Sequence, residues 1–482
     1  LPDIRRFCVR IVVSNRSDIG ALSAREVVRE IKLRTFSCSE VSDHFIERLG
    51  ETKSLNAIAY LNREDVSLAA RELDKRLDNG EDLPLLGLPL SIKDSIAVKG
   101  WPWRSGSIAR ENVVAQEDAT VVRRLRDAGA LLLCKSTTPE YTWSVETDSV
   151  LHGATLNPYN TQKTSGGSSG GEAVIHAIGG APAGLGSDGF NSIRVPAHFC
   201  GTTGLRPTSG VIPETGVWPT TRASGMMDIS TIGPMARFAD DLDLLLDFIE
   251  GPDGLDPFVH PLGSRPRLGS LRGATVGFWP THAIDPASHE TSAAVHLAAD
   301  VLKDLGATIR EIPAWPLGGV IDLAFRLMAP DGGRRATRDV QSARGRHSSH
   351  FSFLLKQLKS QELSASQYLA AVDQLIEVRT QVRQSLEDCD LVICPVTSGT
   401  APTHSSSVID GMPGLSVEGY AYSFVVAIAG VPSVSVPILL SSSGMPIGVQ
   451  VVSSPHFDRV AVGAAAAIQG TLGLLPHPTI KA

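Results

Sequence analysis

The chain has 482 residues, 42% hydrophobic and 20% charged, with a formal net charge of −7. This is a globular composition and excludes a disordered chain. The acidic balance and the lack of a basic patch argue against nucleic acid as a partner and leave solubility as the role of the charge.

No run of about 20 apolar residues occurs, so no membrane span is expected. The opening LPDIRRFCVRIVV is broken by Arg10 and lacks a cleavage site, so it makes a poor signal peptide. The six cysteines, Cys8, Cys38, Cys134, Cys200, Cys389 and Cys394, form no CxxC pair. They read as buried thiols in a reducing compartment, not as zinc ligands. Cytoplasm is the expected location, with no metal and no cofactor.

In chain order, residues up to about 80 read as helices. Segment 22–33 opens with Ser23 three residues before Glu26, the spacing of a capping box. The next helix is expected to stop at Gly50, and a third at Asn79-Gly80. LLGLPLSIKDSIAV, after Pro84, reads as a strand and turn. DATVVRRLRDAGA reads as an amphipathic helix ending at Gly129, and LLLCKST as the strand that follows. Helix then strand across a short glycine connection is the rhythm of an α/β fold. Residues 153–236 are dense in Gly, Ser, Thr and Pro but contain the apolar helical run EAVIHAIGG. That mixture suggests backbone brought close to a site instead of a linker. Helical patterns return from about residue 289, with a break expected near Ser360–Ser364. Strands resume at LVICPVTSGTAP and VPSVSVPILLSSSGMPIGVQVVSS, before a closing helix.

The reading is one α/β/α domain over residues 1–482, with a central mixed, mostly parallel twisted sheet. It comprises a helical segment at about 1–80, a core at about 84–250, a helical segment at about 262–390 laid over the core, and a return to the core at about 391–482.

Three features carry chemistry: Lys93 in LPLSIKDSIAVKG, the run Gly166-Gly167-Ser168-Ser169-Gly170-Gly171, and Ser192 in GLGSDGFNSIRVPAHFCG. Each alone has a bland reading: a solvated lysine, a flexible turn, an ordinary serine. Together, and in this order, they resemble the amidase signature family. TSGGSSGGEAV, SIRVPA at 192–197, FCGTTGLRPTSG, IGPMAR and GMPIGVQVV extend the resemblance from about residue 20 to 475. Ser192 follows Ser168 by 24 residues, the separation found in the family.

The resemblance implies roles. Ser192 is the nucleophile, and Ser168, in a cis peptide linkage, relays a proton to Lys93, the general base and later acid. Ser169 supports the network. The oxyanion hole is formed by backbone N–H groups of Gly189, Phe190, Asn191 and Ser192. Lysine is a base only when neutral, so burial must depress its pKa from about 10.4. Asp94 follows it on a strand and points to the other face, so it can orient backbone without pairing to Lys93. Asp188 and Arg194 flank the nucleophile and read as an ion pair that holds the loop.

The chain departs from the family before Ser192, where Phe190-Asn191 replaces two glycines. Phenylalanine tolerates positive φ poorly. Either the loop keeps its shape, with Phe190 walling the acyl pocket and the Asn191 amide added to it, or the loop is reshaped and activity suffers. The first is favoured because all three triad residues remain.

Other readings are weaker. GLGSDG at 184–189 spells GxGxxG, but Pro196 falls inside the helix a dinucleotide site would need. A Ser-His-Asp triad could draw on His152, His176 or His198, but no GxSxG surrounds Ser192. His152 and His198 are expected at most to line the substrate pocket. The expected activity is hydrolysis of a small-molecule amide, ester or carbamate through an acyl-enzyme, without a metal step, with a homodimer as the assembly. The alternatives are the A subunit of a glutamine-dependent amidotransferase and a weakly catalytic binding protein.

Overall fold

The computed structural model describes residues 16–219, 228–283, 285–334, 340, 343, 345–359, 362–405 and 417–479. The opening LPDIRRFCVRIVV, with Cys8, lies outside them.

Eleven strands form a single sheet: β1 Ile58–Tyr60, β2 Pro89–Lys93, β3 Leu131–Ser136, β4 Ala183–Asp188, β5 Thr203–Arg206, β6 Thr231–Ala236, β7 Thr275–Phe278, β8 Thr308–Glu311, β9 Leu391–Pro395, β10 Ser433–Leu440 and β11 Pro446–Ser453. Their order is β1-β3-β2-β4-β6-β5-β10-β11-β9-β7-β8. The fold is α/β and the sheet is mixed, but it is not mostly parallel: six of the ten strand pairings are antiparallel. For strands that follow one another in the chain, a parallel pair needs a crossover, and a tight turn gives an antiparallel one. A helix crosses from β2 to β3 (Thr120–Asp127) and from β7 to β8 (His289–Asp304), and both of these pairs are parallel. A tight turn joins β10 to β11, and that pair is antiparallel.

Local signals in the sequence account for several helix starts. Capping boxes at Ser23/Glu26, Ser37/Glu40 and Ser364/Gln367 open the helices Ala24–Lys32, Cys38–Glu51 and Ala365–Glu387. Each satisfies backbone N–H groups that the first helical turn leaves free. The second helix passes through Gly50 and ends at Glu51, so that glycine is not its stop. The break near 360–364 separates Ser349–Lys359 from Ala365–Glu387. Segment 262–390 is more than an overlay, because β7 and β8 lie within it and form one edge of the sheet. The exposed residues on β8 hid that edge from a search for apolar runs.

What positions the site is the parallel trio β3-β2-β4. All residues of these strands are buried, because a parallel strand is covered on both faces. Their C-terminal ends share one edge of the sheet, the place where open α/β sheets bind ligands. Register puts Ile92 beside Leu185 and Lys93 beside Ser136. Lys93 ends β2 and Asp188 ends β4, so the lysine and the loop carrying Ser192 meet at that edge.

Candidate active site

Lys93 is completely buried. Its Nζ lies 2.6 Å from Ser168 Oγ, 2.9 Å from Ser169 Oγ, 3.0 Å from Ser187 Oγ and 3.4 Å from the Ser187 carbonyl. Burial lowers its pKa to about 7, against the pull of Asp188 and Glu172. Desolvation wins because both carboxylates are engaged elsewhere, Asp188 by arginines and Glu172 by Ser91, whose hydroxyl donates to it at 2.5 Å.

Asp94 turns away from Lys93, as strand alternation requires. Its carboxylate lies 3.8 Å from Lys135 Nζ, and Lys135 also donates to the Ile96 carbonyl. Burial raises the Asp94 carboxyl against Lys135, and lowers Lys135 to about 8. This second buried lysine fixes the turn that follows β2.

The glycine-rich run fits tightly packed surroundings. A Cβ on Gly167 would stand 2.6 Å from the Ser144 carbonyl, and one on Gly171 2.5 Å from the Thr137 nitrogen. Only glycine lets the backbone approach so closely. The Gly167-Ser168 peptide is cis, and the Ser168 carbonyl accepts from Thr138 Oγ1 at 2.9 Å.

Ser192 sits between β4 and the helix Arg194–Cys200. Its carbonyl accepts from Ser169 N at 3.0 Å, which joins the two serine loops. The Ser168 and Ser192 hydroxyls share no hydrogen bond, but both residues line one cavity of 280 Å³. Among the described residues, the N–H groups of Phe190, Asn191 and Ser192 have no acceptor.

The loop is held from below. Asp188 accepts from Ile193 N at 3.1 Å and pairs with Arg194 at 3.0 Å. Burial alone would raise the Asp188 carboxyl; Arg194 and Arg206 outweigh it and leave it below the ordinary range. Arg194 also donates to the Phe190 carbonyl at 2.5 Å, Ser423 O at 2.9 Å and Gln450 Oε1 at 3.0 Å. One guanidinium thus ties the Ser192 loop to β11 and to the helix Ala421–Ala429.

None of residues 189–192 has positive φ, so Phe190 and Asn191 fit without left-handed backbone. Both line the cavity. Its opposite side comes from the helices Val320–Met328 and Ser349–Lys359 of the 262–390 segment.

The histidines have other places. His198 Nδ1 accepts from Gly448 N at 2.7 Å and Nε2 meets Gly399 O at 3.0 Å. His176 Nε2 lies 3.3 Å from Glu172. Neither His152 nor His198 borders the cavity, contrary to the expectation for these two; His198 is spent on backbone groups. Ser187 and Lys135 were missed by sequence reasoning. Ser187 could have been found from the pairing of β4 with β2, which places its hydroxyl beside Lys93, but that pairing is a long-range fact. Among the described residues no helix is long and apolar enough to cross a membrane.

The family model described as Amidase matches residues 40–460. A Mycobacterium tuberculosis protein named "Putative amidase AmiB2" is 32% identical over 465 residues, covering 93% of this chain and 95% of that one. The A subunit of the glutamyl-tRNA(Gln) amidotransferase of Bdellovibrio bacteriovorus is 30% identical over 501 residues, covering 95% and 99%. Among solved structures, a 6-aminohexanoate cyclic dimer hydrolase superposes with a TM-score of 0.83 at 27% identity, covering 96% of this chain and 99% of that one.

Proposed function

We propose that this chain, which belongs to the Amidase family and is an amide hydrolase, cleaves its substrate through an acyl-enzyme on Ser192. The observation that carries the reading is the fully buried Lys93 amine 2.6 Å from Ser168 Oγ, a residue that lines the same cavity as Ser192.

The neutral Lys93 amine takes the Ser168 hydroxyl proton while Ser168 takes that of Ser192. The Ser192 oxygen then bonds to the acyl carbon, and the carbonyl π pair moves onto oxygen. Backbone N–H groups of Gly189, Phe190, Asn191 and Ser192 are the donors for that oxyanion, and one such donor is worth about 3–4 kcal/mol. Collapse breaks the C–N bond. The leaving nitrogen receives the proton from Lys93 through Ser168. Water repeats the path and releases the acid. A hydrogen bond between the two serine hydroxyls is expected to form when substrate binds, since catalytic hydrogen bonds often come into line only in the substrate complex. Esters and carbamates pass through the same tetrahedral intermediate and belong to the same reading.

Relatives named as the A subunit of an amidotransferase offer a second reading, release of ammonia from glutamine for a partner chain. The described cavity lining carries no Asp, Glu, Lys or Arg. Its described histidine, His350, already lies 3.6 Å from Glu146, so among the described residues a glutamine zwitterion finds few ion-pair partners, which favours a stand-alone hydrolase. A fluorophosphonate probe tests the nucleophile. Labelling of wild type and its loss in Ser192→Ala are expected; equal labelling of both would refute the assignment.

A further inference from the structure

The cavity beside Ser192 is richer in aromatic rings than the chain that builds it. Aromatic residues are 5% of the sequence, yet Trp143, Phe190, Phe325, Phe353, Tyr420 and Phe424 are six of its 24 described lining residues. Rings gathered at the reacting group, in a chain that uses few, fit an apolar occupant with a flat face.

Phe190 is the ring next to the chemistry. It stands two residues before Ser192, and its carbonyl is held by Arg194 Nη2 at 2.5 Å. Its ring lies parallel to that of Phe424, with centroids 5.0 Å apart and planes at 4°. The two rings together present one continuous aromatic wall to the cavity. The rim is apolar as well: Phe353 and Val417 also line the cavity and are 38% and 39% exposed. An apolar cavity of about 150 Å³ already takes benzene, so 280 Å³ holds a ring with an amide attached.

We infer that the substrate carries an uncharged aromatic ring beside its scissile amide, and that Phe190 is the residue that selects it. This rests on the reading of Ser192 as nucleophile. The ring belongs either to the acyl side, as in benzamide, or to the amine side, as in acetanilide; the chemistry that Phe190 meets is the same.

The test compares kcat/KM for benzamide, acetanilide, hexanamide and glutamine in wild type, Phe190→Leu and Phe424→Leu. Leucine keeps an apolar side chain and the backbone N–H but removes the ring, and melting temperatures confirm that both variants fold. At least one aryl substrate should exceed hexanamide by roughly tenfold in wild type, and that lead should shrink to within roughly threefold in Phe190→Leu. Preference for hexanamide or glutamine, or a lead unchanged in both variants, would overturn the inference. If the probe labels Ser192 but neither aryl amide is hydrolysed, the substrate class is wrong and the nucleophile stands. If Ser192→Ala still hydrolyses benzamide, the nucleophile assignment is wrong and the inference goes with it.

Discussion

Lys93 Nζ and Ser168 Oγ stand 2.6 Å apart, and both residues are cut off from solvent. An amine in that position cannot trade water for its lost hydration. It has three hydroxyls and a carbonyl instead, which solvate an ammonium less well than water does. Burial thus favours the neutral form relative to a lysine in water, and the neutral form is the one that can accept a proton from Ser168.

The pH profile should report this amine. With Lys93 at about 7, kcat/KM should rise roughly tenfold between pH 6 and pH 8 and level off above that. The sign follows from the base: protonation at low pH removes the lone pair. A profile that falls over that interval would exclude Lys93 as the general base.

Removing the three side chains separates their roles. Ser192→Ala should lose all detectable turnover, because no other oxygen can form the acyl-enzyme. Lys93→Ala and Ser168→Ala should each lower kcat by on the order of 10³–10⁴-fold. The double variant should cost little more than either single one, since the two act on one proton path. Single-turnover kinetics with an activated ester would measure all four.

Arg194 links β4, the Ser192 loop, β11 and the helix Ala421–Ala429 through buried hydrogen bonds. Arg194→Ala leaves Asp188 charged and buried, with Arg206 Nε at 3.7 Å as the remaining cation. It should destabilise the protein by about 3–5 kcal/mol, read as a lowered urea midpoint. Arg194→Lys should not restore the loss, because a point charge cannot reach the same acceptors as the planar fork.

How much of this was legible beforehand depended on the range of the signal. The capping box Ser23/Glu26 spans four residues and marked the start of its helix correctly. The position of Lys93 at the end of a strand was visible in LPLSIK, and the separation of Ser168 from Ser192 in the motif spacing. Strand direction was not legible: β4 pairs with β6 antiparallel across more than 40 residues of chain, and no local pattern encodes that. The partner of Asp94 was hidden for the same reason, since Lys135 reaches it only because β2 and β3 are neighbours. Which side chains of the helices Val320–Met328 and Ser349–Lys359 face the cavity depends on how helices lie across the sheet, and no local pattern encodes that either. Gly50 misled because a glycine at a helix end marks a stop only when it adopts the left-handed conformation, and this one does not.

Gly184 tests the sheet beneath the site. It lies in β4 beside β2, and an added Cβ would stand 2.3 Å from Ser91 Oγ, 2.4 Å from Glu172 Oε2 and 2.5 Å from the Ser91 carbonyl. The backbone oxygen cannot move without shifting β2, the strand that ends in Lys93. Gly184→Ala should therefore destabilise the protein by about 1–3 kcal/mol and lower kcat as well. An unchanged melting temperature would show that β2 and β4 are not packed in this register.

Lys93→Met should trade function for stability. Unfolded, the lysine keeps its proton up to about pH 10.4; folded, it loses it near 7. Between those values the unfolded chain binds more protons, so this group's contribution to stability improves as pH rises. Below pH 7 both states are protonated and the full cost of burying the ammonium is present. Methionine has a similar shape and no charge to desolvate, although it gives up the hydrogen bonds to three serines. Because those hydroxyls can turn to one another or to backbone carbonyls, the desolvation cost outweighs the lost bonds. Inactive Lys93→Met is expected to melt above wild type at pH 6, with the gap narrowing steadily toward pH 10. A gap of the opposite sign at pH 6 would mean that the lysine contributes more to the fold than its burial costs, and that its amine is not held neutral by desolvation.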